Sequence, residues 1–301
     1  MTQCSFTSSL ECEVTSIYIP IGIRDAALIC AISIINIVIA LLGTLANSLV
    51  IMAYYRNCRL RTIQNTVFFL LAITDISVTA LVQPMYVATN FTNILASPSC
   101  LFADVNAALS KLFLQLSLVT IVILSLQSYI TLAYPYRWQI IITKTRFNVT
   151  IGASWLLILF ITFSGFLHKT IYLYCPPCIL LLAVVTVVVT WCWTCKLVGR
   201  HRKTIQTTQT PSTSQNISRR KILRSTVTAL LVISSLLACY VLTLCFFFMR
   251  IFLNPWEIAS TYPILWSLAV SLMYLNSLVN PFLLLWRSTP FRETVKHTLN
   301  F

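Results

Sequence analysis

Polar residues are not spread evenly along this chain; they collect between long apolar runs. Seven runs stand out, at 26–54, 63–86, 105–134, 147–167, 176–198, 224–249 and 262–286. Each is long enough to supply the ~20 helical residues that cross ~30 Å of hydrocarbon. The first run is far longer than the core of a cleaved signal peptide, and no basic stretch with a small-residue cleavage site precedes it, so no cleavage is expected. The pattern predicts an all-α membrane protein. An outer tail spans 1–25, a seven-transmembrane helix bundle 26–286 and a cytosolic segment 287–301. In that last segment Phe291, Val295 and Leu299 recur at helical spacing, with Arg292, Glu293 and Lys296 off the stripe. A short amphipathic helix lying on the membrane surface fits this pattern.

Composition removes the soluble alternative. The chain is 58% hydrophobic and 9% charged, against about 25% charged in soluble domains. Its net charge of +14 is not a nucleic-acid signal, because the charges are sorted by loop. Arg56, Arg59 and Arg61 follow the first run, Arg137, Lys144 and Arg146 the third, and Arg287, Arg292 and Lys296 the seventh. A larger set from Lys196 to Arg224 lies between the fifth and sixth. Basic loops stay in the cytosol, so the N-terminus is expected outside and the C-terminus inside, in the plasma membrane. No internal repeat of the transporter type is visible. No catalytic set appears either: His168, His201 and His297 are scattered, and five glycines form no phosphate loop. The chain reads as a non-enzyme. Trp138, Trp191, Trp193 and Trp286 fall near the inner interface, where an aromatic belt accounts for them.

Two charges fall inside apolar runs, Asp75 and Lys111. Intramembrane ionisable groups are costly and mark function by default. No basic residue lies at matching depth to pair Asp75. Two arrangements fit: a carboxylate holding a small hard cation, or a hydrated hydrogen-bond network around a protonated carboxyl. Lys111 either draws an acidic ligand group, snorkels to the headgroups, or pairs with Asp104.

Several motifs carry a resemblance. They run in order as Gly43-Thr-Leu-Ala-Asn47, Leu71-Ala72-Ile-Thr-Asp75 with Pro84, Ser117 to Ser125, Trp155, and Asn276-Ser277-Leu-Val-Asn280-Pro281 followed by Pro290-Phe291-Arg292. Together they resemble the rhodopsin-like family of G-protein-coupled receptors, as a divergent member. The resemblance implies a receptor that passes an extracellular signal to a cytosolic G protein, with arrestin as a second partner and a small ligand or short peptide outside. It implies no cofactor beyond a sodium ion acting as allosteric modulator, surrounded by Asn47, Asp75, Ser117, Asn276, Ser277 and Asn280. It places Ser110, Lys111, Tyr240 and Tyr274 toward the ligand. It also implies a disulfide from Cys100 to Cys175 or Cys178.

Departures from the family pattern are equally specific. Gln127-Ser128-Tyr129 stands at the G-protein-facing position where the family has Asp-Arg-Tyr. Cys239-Tyr240-Val241-Leu242 lacks the sixth-helix proline, and Leu284 replaces a tyrosine after Asn280-Pro281. The alternative reading is a receptor-like protein that binds ligand or partners without G-protein coupling. Two further expectations concern modification. Asn90-Phe-Thr92 is a glycosylation sequon. The inner loop, expected to be disordered, holds Thr204, Thr207, Thr208, Thr210, Ser212, Thr213, Ser214 and Ser218 between basic flanks that adhere to anionic membrane lipid. Phosphorylation there would reverse the loop's charge.

Overall fold

The computed structural model describes residues 23–95, 100–135, 137–207, 214–252 and 262–298. Most of the outer tail, the loop after the sixth span, and Thr208, Thr210, Ser212, Thr213 and Leu299 lie outside the described residues. Among the described residues, seven helices are long and apolar enough to cross a membrane. In lipid a backbone must satisfy its own polar groups, which a continuous helix does.

The first helix, Ile23–Arg56, shows how sequence sorts into faces. Ile29, Ile32, Ser33, Asn36, Ala40, Ala46, Asn47, Val50 and Ala53 are buried along one stripe. Ile34, Ile35, Val38, Leu41, Leu42 and Leu45 are exposed on the other, as a lipid-facing surface requires. The small residues of the buried stripe, Ser33, Ala40, Ala46 and Ala53, let neighbouring backbones approach. Gly43 marks the closest approach: a Cβ built there would lie 2.6 Å from Thr79 Cγ2 in the second span.

A 3-10 turn at Cys58–Leu60 leads to the second span, with the Asn57 side chain accepting from the Arg59 N–H. Thr62 caps the helix Ile63–Ser77 by accepting from the Asn65 N–H at 3.3 Å. A single π turn follows at Val78–Val82, where the Gln83 N–H reaches back five residues to the Val78 carbonyl. The cause is Pro84: it supplies no N–H and its ring crowds the carbonyl four residues earlier. Widening the turn relieves both. The helix then continues as Gln83–Ile94.

The third helix, Cys100–Ala133, is the central post, with Leu114 to Leu118 buried on consecutive positions. Leu118, Ile121 and Leu124 join Ile233, Leu236 and Tyr240 of the sixth helix in the main core. The fourth helix, Lys144–Leu167, is capped by Thr143 and tied to the third by Trp155 Nε1 donating to Thr120 Oγ1 at 3.3 Å. The fifth and sixth helices run Lys169–Thr207 and Ser214–Phe252, and the seventh Tyr262–Arg287. A terminal helix, Thr289–Thr298, folds back beneath the first. Its Phe291 is fully buried and Val295 packs on the core, while Arg292, Glu293 and Lys296 are exposed. Asn57 Nδ2 donates to Thr294 Oγ1 at 2.9 Å and pins it.

Several sequence expectations change. The second span extends past residue 86 to Ile94. Its polar end looks like loop in sequence, but Thr89 and Thr92 bond back to Met85 and Thr89 carbonyls and Asn90 turns inward. The expected outer loop before the fifth span shrinks to His168, because the fifth helix starts at Lys169. The inner loop expected to be disordered is helical through Thr207 and again from Ser214. Trp193 and Trp286 are exposed as a belt requires, whereas Trp191 turns in and donates Nε1 to Ser234 Oγ at 3.1 Å.

Candidate functional site

Three spans converge on Asp75, which is fully buried. Asn280 Nδ2 donates to Asp75 Oδ2 at 2.9 Å, and Ser117 Oγ to Oδ1 at 3.4 Å. Ser277 also faces the carboxyl group. Asn47 is held alongside, its Nδ2 donating to the Ser277 and Gly43 carbonyls at 2.9 Å each. Its place follows from the first-helix stripe, and Pro281 frees backbone geometry at the seventh-helix wall. Asn47, Asp75, Ser117, Ser277 and Asn280 are therefore together, and Asn276 is buried one position before Ser277.

Oxygens are left over in this cage. Asn47 Oδ1 and Asn280 Oδ1 are buried without hydrogen-bond partners. Unpaired buried acceptors are expensive. A cavity of about 10 Å³ beside Asp75, Asn47 and Asn280 is near the size that admits one water. An anionic oxygen and several amide oxygens form a donor set suited to a small hard cation. No group of three or more His, Cys, Asp or Glu suited to a metal occurs among the described residues.

Toward the opposite end, Ser110 Oγ and Tyr274 OH lie 3.2 Å apart, and the Tyr86 ring meets Tyr274 edge-on at 5.5 Å. Lys111 is half-buried one position on. Tyr240 does not join them: it belongs to the main core around Leu236, whereas Tyr274 packs with Val78, Val82 and Leu114. Cys175 and Cys178 are free thiols, so the expected disulfide is not formed. Both sit within the fifth helix rather than a loop, and the Cys100 side chain lies outside the described residues. The sequon asparagine is also corrected. Asn90 is buried, with Nδ2 donating to Ser33 Oγ at 3.2 Å. A glycan on that nitrogen would break the packing of the first two spans.

Sequence reasoning missed a second polar cluster. Asn36 Nδ2 donates to Ser271 Oγ at 2.7 Å, and Gln83 Nε2 to Asn36 Oδ1 at 2.8 Å. It ties the first, second and seventh spans above Asp75. The signal was present: Ser33, Asn36, Gly43 and Asn47 share one helical stripe.

At the basic end, Gln127 and Ser128 are buried, with Gln127 Oε1 and Ser128 Oγ unpartnered. Tyr129 meets Trp193 at 5.7 Å. Between the 58–60 turn, the end of the seventh span and the terminal helix lies a cavity of about 1130 Å³. Phe68 and Leu284 line both this cavity and the small one beside Asp75. They form an apolar partition between the carboxylate and the basic end.

Seven spans around a buried carboxylate, closed by a surface helix, define a multi-pass membrane protein built like a receptor. Residues 46–284 match the family model described as 7 transmembrane receptor (rhodopsin family), and the chain belongs to that family. Among similar proteins is the adenosine receptor A2a of Equus caballus, 29% identical over 123 residues, or 41% of this chain and 29% of that receptor. Another is the histamine H2 receptor of Cavia porcellus, 27% identical over 132 residues, or 44% of this chain and 36% of that receptor. The matched region thus spans about a third of each relative. Both are named as receptors, not enzymes.

Proposed function

We propose that this chain is a plasma-membrane receptor that passes an outside signal to a heterotrimeric G protein, with a sodium-binding cage at Asp75 as its allosteric site. The observation that carries it is the cage itself: Asp75 tied to Asn280 and Ser117 from two other spans, with the unpartnered amide oxygens of Asn47 and Asn280 in residues that line the small cavity beside it. An ion there would link the second, third and seventh spans and favour one arrangement of the bundle. A ligand favouring another arrangement is then coupled to it. The sorting of basic residues into one set of loops supports a cytosolic position for the end with the large cavity and an exterior N-terminus. The outer ligand is a small molecule or short peptide near Ser110, Lys111 and Tyr274. Phosphorylation of the inner loop, at Thr204, Thr207, Thr208, Thr210, Ser212, Thr213, Ser214 and Ser218 and with arrestin as reader, remains part of this proposal.

A second reading is carried by Ser128. It is 2% exposed, with its hydroxyl unpartnered and no charge to offer a G protein. On this reading the protein binds ligand or partners without coupling. G-protein dissociation in cells, native against Ser128→Arg, separates the two. Strong native signalling supports coupling; signalling only in the variant supports the second reading.

A further inference from the structure

Two pairs of cysteines share one spacing on the fifth helix: Cys175 with Cys178, and Cys192 with Cys195. In each pair both residues are free thiols, one exposed and one half-buried. Three residues along a helix bring Cβ atoms to about 5–6 Å, whereas a disulfide needs about 3.5–4.5 Å. A regular turn therefore has to tighten by about 1 Å before a bridge can close. The two turns differ in what resists that. Pro176 and Pro177 lie inside the helix between the first pair. Neither has an N–H, so the bonds that would run back to the carbonyls of Tyr172 and Leu173 are missing. Between the second pair, Trp193 and Thr194 keep their N–H groups, and Thr194 Oγ1 adds a bond to the Thr190 carbonyl at 2.7 Å. Depth differs as well. The fifth membrane-spanning segment runs from Cys175 to His201. The first pair thus lies within one helical turn, about 4.5 Å, of the end of the span, while the second lies inside it.

We infer that Cys175 and Cys178, on the proline-interrupted turn of the fifth helix, form a reversible dithiol pair that exchanges with a low-molecular-weight disulfide of the oxidised-glutathione class. The exposed Cys178 thiolate attacks one sulfur of that disulfide, whose S–S bond breaks; a mixed disulfide forms and one small thiolate leaves. Cys175 then gives up its proton and attacks the Cys178 sulfur, and the second small thiolate leaves. The pair loses two electrons and two protons, and the small disulfide is reduced to two thiols. The pair sits at the end of the fifth helix opposite Arg200, Arg202 and Lys203. An exterior position for that end puts it where disulfides persist, and the inference rests on the proposed orientation only for that source.

The test uses the full chain purified in detergent, so the chemistry is read independently of orientation. The protein is equilibrated in buffers of reduced and oxidised glutathione, its remaining thiols are alkylated in denaturant, and the cysteines are mapped by peptide mass spectrometry. The native chain is expected to show a Cys175–Cys178 bridge in oxidising buffer that dithiothreitol removes, while Cys192 and Cys195 are alkylated throughout. Cys175→Ser keeps the exposed thiol without its resolving partner, so it accumulates the glutathione mixed disulfide at Cys178. Pro176→Ala with Pro177→Ala restores two backbone donors and shifts the equilibrium about tenfold toward the thiols, the size of one or two net hydrogen bonds. No bridge in oxidising buffer overturns the inference, and so does a bridge from either residue to Cys100 or to any other cysteine. Equal bridging of Cys192 with Cys195, or an unchanged equilibrium in the proline variant, overturns it as well, since spacing alone would then suffice. The native chain, with the second pair as its internal comparison, carries the test if a variant fails to fold.

Discussion

Replacing Asp75 by Asn isolates the charge from the shape of the cage. Asn280 Nδ2 and Ser117 Oγ donate to different carboxyl oxygens, at 2.9 and 3.4 Å. The one amide oxygen can keep the Asn280 contact, and the new NH2 then meets the Ser117 hydroxyl, which can accept as well as donate. The fold should therefore survive, and the anion is what is lost. A ligand that binds only the folded state stabilises it by RT ln(1 + [L]/Kd), so 100 mM sodium at a site half-filled near 10 mM adds about 1.4 kcal/mol. Weakening that site a hundredfold leaves about 0.06 kcal/mol. The assay is thermal unfolding of the purified chain in sodium chloride against choline chloride at equal ionic strength. Native protein is expected to melt several degrees higher in sodium, and Asp75→Asn to melt at the same temperature in both salts. An equal sodium response in the variant would falsify the cage as the ion site, and so would the lack of any sodium-specific rise in the native chain.

Gly43→Ala should destabilise by about 1–3 kcal/mol through overpacking, since its Cβ would sit 2.6 Å from Thr79 Cγ2. Adding Thr79→Ser, which removes that methyl, should restore most of the melting temperature; no recovery would place the strain elsewhere. Asn36→Ala should cost about 1–3 kcal/mol, because it strands Gln83 Nε2 and removes the donor to Ser271 Oγ, which keeps only its bond to the Ser267 carbonyl, and unfolding curves would show no loss if the cluster were idle. Treatment with an N-glycosidase should leave mobility unchanged for the native chain and for Asn90→Gln alike; a shift lost only in the variant would contradict the inward-facing Asn90. Cys175→Ser and Cys178→Ser should reach the surface as the parent does, and a sharp drop in either would point to a bridge that the free thiols do not form.

Much of the bundle was legible because lipid imposes one rule on every span. Asp75 and Asn280 could be found from sequence because a polar group in hydrocarbon has few explanations. Helix ends were harder. Residues 87–94 and 204–207 are polar, and polarity reads as loop unless the partner across the bundle is known. Asn90 could be assigned inward only once Ser33 was in place. The Asn36–Gln83–Ser271 cluster was hidden for the same reason: each residue alone is a mild polar interruption, and only assembly of three spans makes them a unit. Tyr240 shows the reverse case. The resemblance places it toward the ligand, and in the fold it belongs to the same buried cluster as Leu236.

The π turn at Val78–Val82 has a bearing on how this chain can be compared with its relatives. A regular helix advances about 100° per residue, so one surplus residue re-aims everything after it by that amount. Position-by-position transfer from a receptor with a regular second helix holds up to Ser77 and fails beyond it. Gln83, Tyr86 and Asn90, which point inward here, would be drawn facing lipid, and their lipid-facing neighbours would be drawn as pocket. Ligand models borrowed from such a receptor would thus misplace one wall of the outer half while leaving the Asp75 cage intact.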